Sequence, residues 1–100
     1  MSMEFCFEAT LIEWRGPAPF VFAPIPLEDS VAIKDLAKQA SYGWGCISVM
    51  AIIGATEFKT SLIPKDGRFL LPVKLLVQRA ENLQIGDEIA AKICINFALG

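Results

Sequence analysis

Lys59 and Ser61 stand two residues apart in the alternating run ATEFKTSLIP, so on a strand both side chains leave the same face. Lys74 follows thirteen residues after Ser61, just inside the proline-led segment PVKLL. A serine with a lysine as its base is a nucleophile scheme that the composition still permits. The chain contains no histidine, which removes the commonest general base and metal ligand and excludes serine–histidine and cysteine–histidine pairs. Against the serine–lysine scheme stands a plainer reading, an exposed strand face carrying ordinary polar residues.

The other chemistry-bearing residues resolve mostly into structure. Glu57 and Asp87 have no spacing that pairs an acid with a base, and Asp87 beside Gly86 reads as a turn residue. Gly43 and Gly45 flank Trp44, yet no Lys-Ser or Lys-Thr follows and the segment runs into a strand, so this is not a phosphate loop. Trp14 and Trp44 each combine an aromatic body with an N–H that can orient a ligand at a pocket mouth, core packing being the plainer use. The candidate binding residues are therefore Trp44, Lys59, Ser61 and Lys74. No catalytic residue, cofactor or metal site is assigned.

Composition sets the bounds. One hundred residues make a single domain able to bury one core. A hydrophobic share of 54% lies above the usual globular range of about 45–50% and leaves apolar surface for a pocket, a second copy or an associated domain. Nine basic and eleven acidic residues, without runs of either sign, argue against the basic stripe of a general nucleic-acid binder. Cys6, Cys46 and Cys94 are odd in number and far apart, and read as small core residues in a reducing compartment. The uncharged stretch 39–56 is too polar in its first half to span a membrane, and MSMEFCFE lacks the basic start of a signal peptide. The expected location is the cytoplasm.

Periodicity then places the elements. Residues 4–14 alternate Phe5, Phe7, Ala9 and Leu11 against Glu4, Cys6, Glu8 and Thr10, a first strand. RGPAP breaks it, and FVFAPIP returns as the second arm of a hairpin. Asp29 and Ser30 offer capping oxygens to a helix over 30–40 with Ile33, Leu36, Ala37 and Ala40 on its buried face. Its polar side carries Lys34, Asp35 and Lys38, where the like-charged pair at i,i+4 reads as solvated. CISVMAIIG is a buried strand, ATEFKTSLIP and RFLLP form a hairpin around Lys65-Asp66-Gly67, and Pro72 opens a helix with the stripe Val73, Leu76, Val77 and Ala80. Asn82 ends that helix, Gly86-Asp87 turns the chain, and EIAAKICINF is the last strand. The expected fold is mainly β, a small closed or nearly closed barrel of about six strands with two short helices, since closure removes exposed edges.

Four runs in this order, WRGPAPF (14–20), YGWG (42–45), IGATEFKTSLIPKDGRFLLPVK (53–74) and RAENLQIGD (79–87), carry a resemblance across nearly the whole chain. It resembles an uncharacterised bacterial domain-of-unknown-function family of small β-barrels, related to the YdeI/OmpD-associated bacteriocin-protection proteins. The resemblance implies a barrel that is often fused to or associated with another segment, and it implies no activity. Where that family carries an arginine this chain has Gln78, and a tryptophan common near Phe20 is absent. A second, partial resemblance over residues 67–95 is to the swapped-hairpin DNA-binding domains of the AbrB regulators. There the local basic residues Lys65, Arg68, Lys74 and Arg79 alternate with Asp66, Glu81, Asp87 and Glu88. Three functions stay open: a non-enzymatic binding or interaction module, first in order; a small-molecule pocket or weak enzyme using Lys59, Ser61 and Lys74; and an AbrB-like DNA-binding dimer.

Overall fold

The computed structural model describes residues 2–15, 19–39 and 47–96, so Trp44, Cys46 and Phe97 lie outside the described residues. Its elements run β1 (Ser2–Thr10), β2 (Ile12–Arg15), β3 (Pro19–Pro24), α1 (Leu27–Gln39), β4 (Ile47–Ile53), β5 (Thr56–Lys65), β6 (Arg68–Pro72), α2 (Leu75–Ala80) and β7 (Glu88–Asn96). Every ladder is antiparallel, in the order β1-β7-β4-β5-β6-β3-β2. Among the described residues no helix is long and apolar enough to cross a membrane.

The expectation of a mainly β chain with two helices is met, but the closed barrel of six strands is not. Seven strands form an open sheet curved into a half-barrel, with β1 and β2 at its two ends. The extra strand arises because the run 4–14 breaks at Leu11. Residues up to Thr10 pair with β7, whereas Ile12 onward pairs with β3. Between them the Leu11 N–H donates to Asp87 O at 2.9 Å and its carbonyl accepts from Gly86 N at 2.9 Å, while the side chain is buried. One continuous run therefore serves two ladders over different stretches, and no ladder joins β1 to β2.

The core follows the period-2 pattern. Phe7 and Ala9 of β1, Ile47, Val49, Ala51 and Ile53 of β4, and Ile89, Ala91, Ile93 and Ile95 of β7 all point inward. Their alternates are exposed or half-buried. That alternation corrects the reading of the cysteines as core residues: Cys6 is exposed and Cys94 half-buried, both free thiols on the outer face. They share the outward parity of Glu4 and Lys92, which pair at 3.3 Å.

Both helices depart from their expected starts. Helix α1 begins at Leu27, ahead of Asp29 and Ser30, with the Pro26 carbonyl accepting the first i→i−4 bond from Ser30 N. Ser30 therefore does not cap. Its hydroxyl, 1% exposed and the one buried polar side chain among the described residues, lies between two strands. It accepts from Phe69 N at 3.0 Å and donates to Ile25 O at 3.3 Å, while Ile25 N donates to Phe69 O at 3.0 Å. A ladder pair is thus completed on one side directly and on the other through a hydroxyl.

Pro72 ends β6 opposite Phe22 instead of opening α2; the ladder with β5 has already stopped at Leu70, so a residue without an N–H is tolerated at this strand end. The helix starts after Lys74, which is its N-cap residue with φ −63° and ψ 151°. Only half of the expected stripe is buried. Val73 and Val77 are, but Leu76 is 78% exposed and Ala80 is exposed too. Val77 faces the sheet, and Leu76, about 100° away around the helix axis, is turned to solvent. Asn82 ends it as expected, at φ 54°, with Leu83 N donating to Gln78 O at 2.8 Å and Asn82 N to Arg79 O at 3.4 Å, the double C-terminal bond of a Schellman motif.

Two stability predictions arise here. Ser30→Ala leaves the buried Phe69 N–H without a partner and should cost about 1–3 kcal/mol in urea unfolding, whereas the exposed Ser61→Ala should stay within about 0.5 kcal/mol. Equal losses would mean that the hydroxyl bridge contributes nothing. Gly54 and Gly67 both have positive φ (60° and 82°), but a Cβ at Gly54 would run into the Glu81 carboxylate, which accepts a 2.6 Å hydrogen bond from Thr56 Oγ1, while at Gly67 it would meet open space. Gly67→Ala should cost about 1–2 kcal/mol from backbone strain, and Gly54→Ala measurably more.

Candidate functional site

The Lys65-Asp66-Gly67-Arg68 turn is the part of the molecule around which cavities gather. Asp66 (φ 52°) and Gly67 (φ 82°) both occupy the left-handed region, the I′ geometry that suits a two-residue hairpin and that Asp-Gly favours. The turn sets Lys65 directly opposite Arg68, with Pro64 opposite Phe69 on the other parity. Phe69 is buried toward the core, so the two cations belong to the outer face and to the hairpin tip.

On one side of the tip lies a cavity of about 380 Å³ between the hairpin and α1. Its apolar wall is Ala37, Ile47, Pro64 and Phe69. Lys34 and Lys38, one turn apart on α1, form the rim together with Lys65, Arg68 and the single acid Asp66. Lys34, Lys38 and Arg68 make no ion pair with any of the described residues. Four cations facing one carboxylate is a local excess of positive charge in a chain whose net charge is −2.

On the other side is a smaller cavity of about 260 Å³ lined by Ile12, Glu13, Trp14, Pro24 and Leu70, with Lys65, Asp66 and Arg68 common to both. Here the Lys65 ammonium sits 3.2 Å from the centroid of the Trp14 ring, a cation–π contact. Trp14 is 43% exposed and tilts against Phe22 at 6.0 Å, and Phe20, 57% exposed, lies 6.2 Å from the same ring. Phe22 and Leu70 are buried at 3% and 4%, yet they stand apart from the main core. Strands β3 and β6 are thus apolar on both faces. Core packing, the plainer reading of Trp14, is corrected by this placement, since alternation turns the ring outward opposite Phe20.

The residues singled out from the sequence fall elsewhere. Lys59 and Ser61 are exposed on β5 and share a groove of about 590 Å³ with Ser48, Met50, Cys94 and Asn96 on the outer face of β4, β5 and β7. Lys74 is exposed at the head of α2 and lines neither the two cavities at the hairpin tip nor the groove of Lys59 and Ser61. Trp44 is outside the described residues. Gln78, standing where an arginine was anticipated, donates its side-chain N–H to Val73 O at 2.8 Å and holds the approach to α2. Asp87 takes the turn role expected of it, its Oδ2 accepting from Gln84 N at 2.9 Å.

Lys34, Lys38, Lys65 and Arg68 were not read from the sequence as a site. The signal was present in the like-charged i,i+4 pair, which reads as a solvated face until a second pair of cations is known to lie across from it. The groove around Lys59 is the larger of the two, but its lining consists mainly of exposed or half-buried strand-surface side chains. The cavity beside α1 is walled by Ala37, Ile47 and Phe69, all buried, and so offers more apolar contact per unit volume.

No curated protein sequence matches the chain. A family model described as Domain of unknown function (DUF1905) matches residues 7–93, from the middle of β1 to the middle of β7, and so takes in both helices, the hairpin turn and every strand between. The chain belongs to this family of domains of unknown function, DUF1905.

Proposed function

We propose that the chain is a non-enzymatic binding module whose ligand enters the cavity between α1 and the β5–β6 hairpin. The observation that carries this reading is the meeting of a buried apolar wall with four cations and one acid in about 380 Å³, a volume at the small end of the range for ligand sites. An apolar wall with a few convergent charged groups is the ordinary chemistry of a binding site. A catalyst of the serine–lysine kind would need a hydroxyl beside the amine, and the side chains lining this cavity carry no hydroxyl or thiol. We place the module in the cytoplasm on its three unpaired-spacing cysteines. A tie to the bacteriocin-protection proteins would make it one member of a fused or associated pair.

A second reading is favoured by one feature, the shared groove of Lys59 and Ser61. It would make the outer face of β4, β5 and β7 the ligand surface, with Lys74 acting elsewhere. DNA binding draws less support, because Lys74 before α2 and Arg79 within it are interleaved with Glu81, Asp87 and Glu88 and the field that would steer a duplex is cancelled locally.

The test is a fragment screen by thermal shift, with hits mapped by amide chemical shifts. A ligand at one hundred times its dissociation constant should stabilise the fold by about 2.7 kcal/mol. The amides of Ala37, Ile47, Gly67 and Phe69 should move. Stabilising hits that move Ser48, Lys59 and Ser61 instead would transfer the function to the second reading.

A further inference from the structure

We infer that the ligand of this cavity is an amphipathic anion, a carboxylate or phosphate monoester on an aliphatic or aromatic body, and that Lys65 leaves Trp14 to meet it. The inference rests on the reading of the cavity as the ligand site and adds the chemistry of what it takes.

The body must be apolar. Ala37, Ile47, Pro64 and Phe69 offer no side-chain hydrogen bond. Ser30, the one buried polar side chain among the described residues, already makes one bond to Phe69 N and one to Ile25 O. A polar body would exchange water for a wall that cannot answer it, leaving its groups unpaired. An alkyl or aryl group loses nothing there and gains the burial of its own surface.

The head must be negative. Lys34 and Lys38 repel each other along one face of α1, and Arg68 across the gap has no carboxylate partner among the described residues. Asp66 is the single acid in the lining. An anion seated between them turns that repulsion into attraction, and a guanidinium can meet a carboxylate or phosphate with two parallel N–H donors. A cationic ligand would meet the opposite outcome.

Lys65 couples the two sides of the hairpin. It lines both cavities, and its ammonium rests on the half-exposed ring of Trp14. A cation over an exposed ring is held less firmly than one in a charge-assisted hydrogen bond, so an anion at the rim draws Lys65 across the tip. The ring is left uncovered, and its emission becomes a report of occupancy.

The experiment uses the full chain carrying Trp44→Phe, which leaves Trp14 as the sole tryptophan. Hexanoate, hexyl phosphate, 1-hexanol and inorganic phosphate are titrated while Trp14 emission and the amides of Ala37, Ile47 and Phe69 are followed. Both amphipathic anions should shift these amides saturably and change the emission, at least tenfold more tightly than 1-hexanol or inorganic phosphate. Raising the ionic strength should weaken them, since rim charges are screened over about 8 Å at 0.15 M salt. Lys38→Gln and Arg68→Gln should each weaken hexanoate several-fold, while Lys92→Gln, which removes a half-buried cation outside the cavity, should change it less than twofold. Equal binding of 1-hexanol would overturn the anionic head, and equal binding of inorganic phosphate the apolar body. Equal weakening by Lys92→Gln would overturn the local rim in favour of a general field. Unaltered Trp14 emission on saturation would overturn the role of Lys65. Neutral fragments that still map to these amides when neither anion does would sink the inference and leave the cavity reading standing; no ligand of any kind mapping there would remove both.

Discussion

The hydroxyl of Ser30 occupies the place where a strand becomes a helix, and the candidate site depends on that substitution. A ladder pair between Ile25 and Phe69 would need two direct backbone bonds, but only Ile25 N to Phe69 O is direct; the return bond passes through Ser30 Oγ. The inserted oxygen satisfies both strands while the chain turns at Pro26 and winds into α1. Without it, either β3 continues along β6 and no helix crosses the hairpin, or Phe69 N–H is buried unpaired. Because Ser30 sits one turn ahead of Lys34 and two ahead of Lys38, the bridge also sets the height and rotation of the cationic face. Ile33 and Ala37 then anchor that face to the core.

Leu11 plays a corresponding part at the other end of the sheet. A strand that paired along its whole length with β7 could not also form the arm of the β2–β3 hairpin. By turning its backbone to Gly86 and Asp87, Leu11 ends one ladder and frees the next four residues for another. It is also through β2 that Trp14 reaches the hairpin tip, so the break in the first strand and the aromatic platform have one cause.

The outer aromatic layer accounts for the high apolar content of so small a chain. Strands β3 and β6 bury Ala23 and Leu71 on the core side and Phe22 and Leu70 on the other. Among the described residues that second layer is covered by half-exposed side chains, chiefly Trp14 and Phe20. Lys65 lines its edge and sets its charge on the Trp14 ring, and a lysine can cover apolar surface with its stem while its head stays in water.

From the sequence alone the strands around Phe7, Val49 and Ile93, the Asp-Gly hairpin, the stop at Asn82 and the turn at Asp87 were legible, because period-2 alternation and positive-φ turns are properties of a few neighbouring residues. Membership of a β-rich family of unknown function was legible too, from motif order. The split at Leu11, the outward thiol of Cys6, the late start of α2 and the role of Ser30 were not. Each is decided by which distant backbone group needs a partner, and a local pattern does not contain that information. The site divides in the same way: Lys34 with Lys38, and Lys65 with Arg68, are visible as pairs in the chain, but a solvated pair and half of an anion site look alike in one dimension. Only the tertiary structure sets the two pairs across a shared apolar wall, because the electrostatic interaction that distinguishes them depends on distance through space and not on separation along the chain.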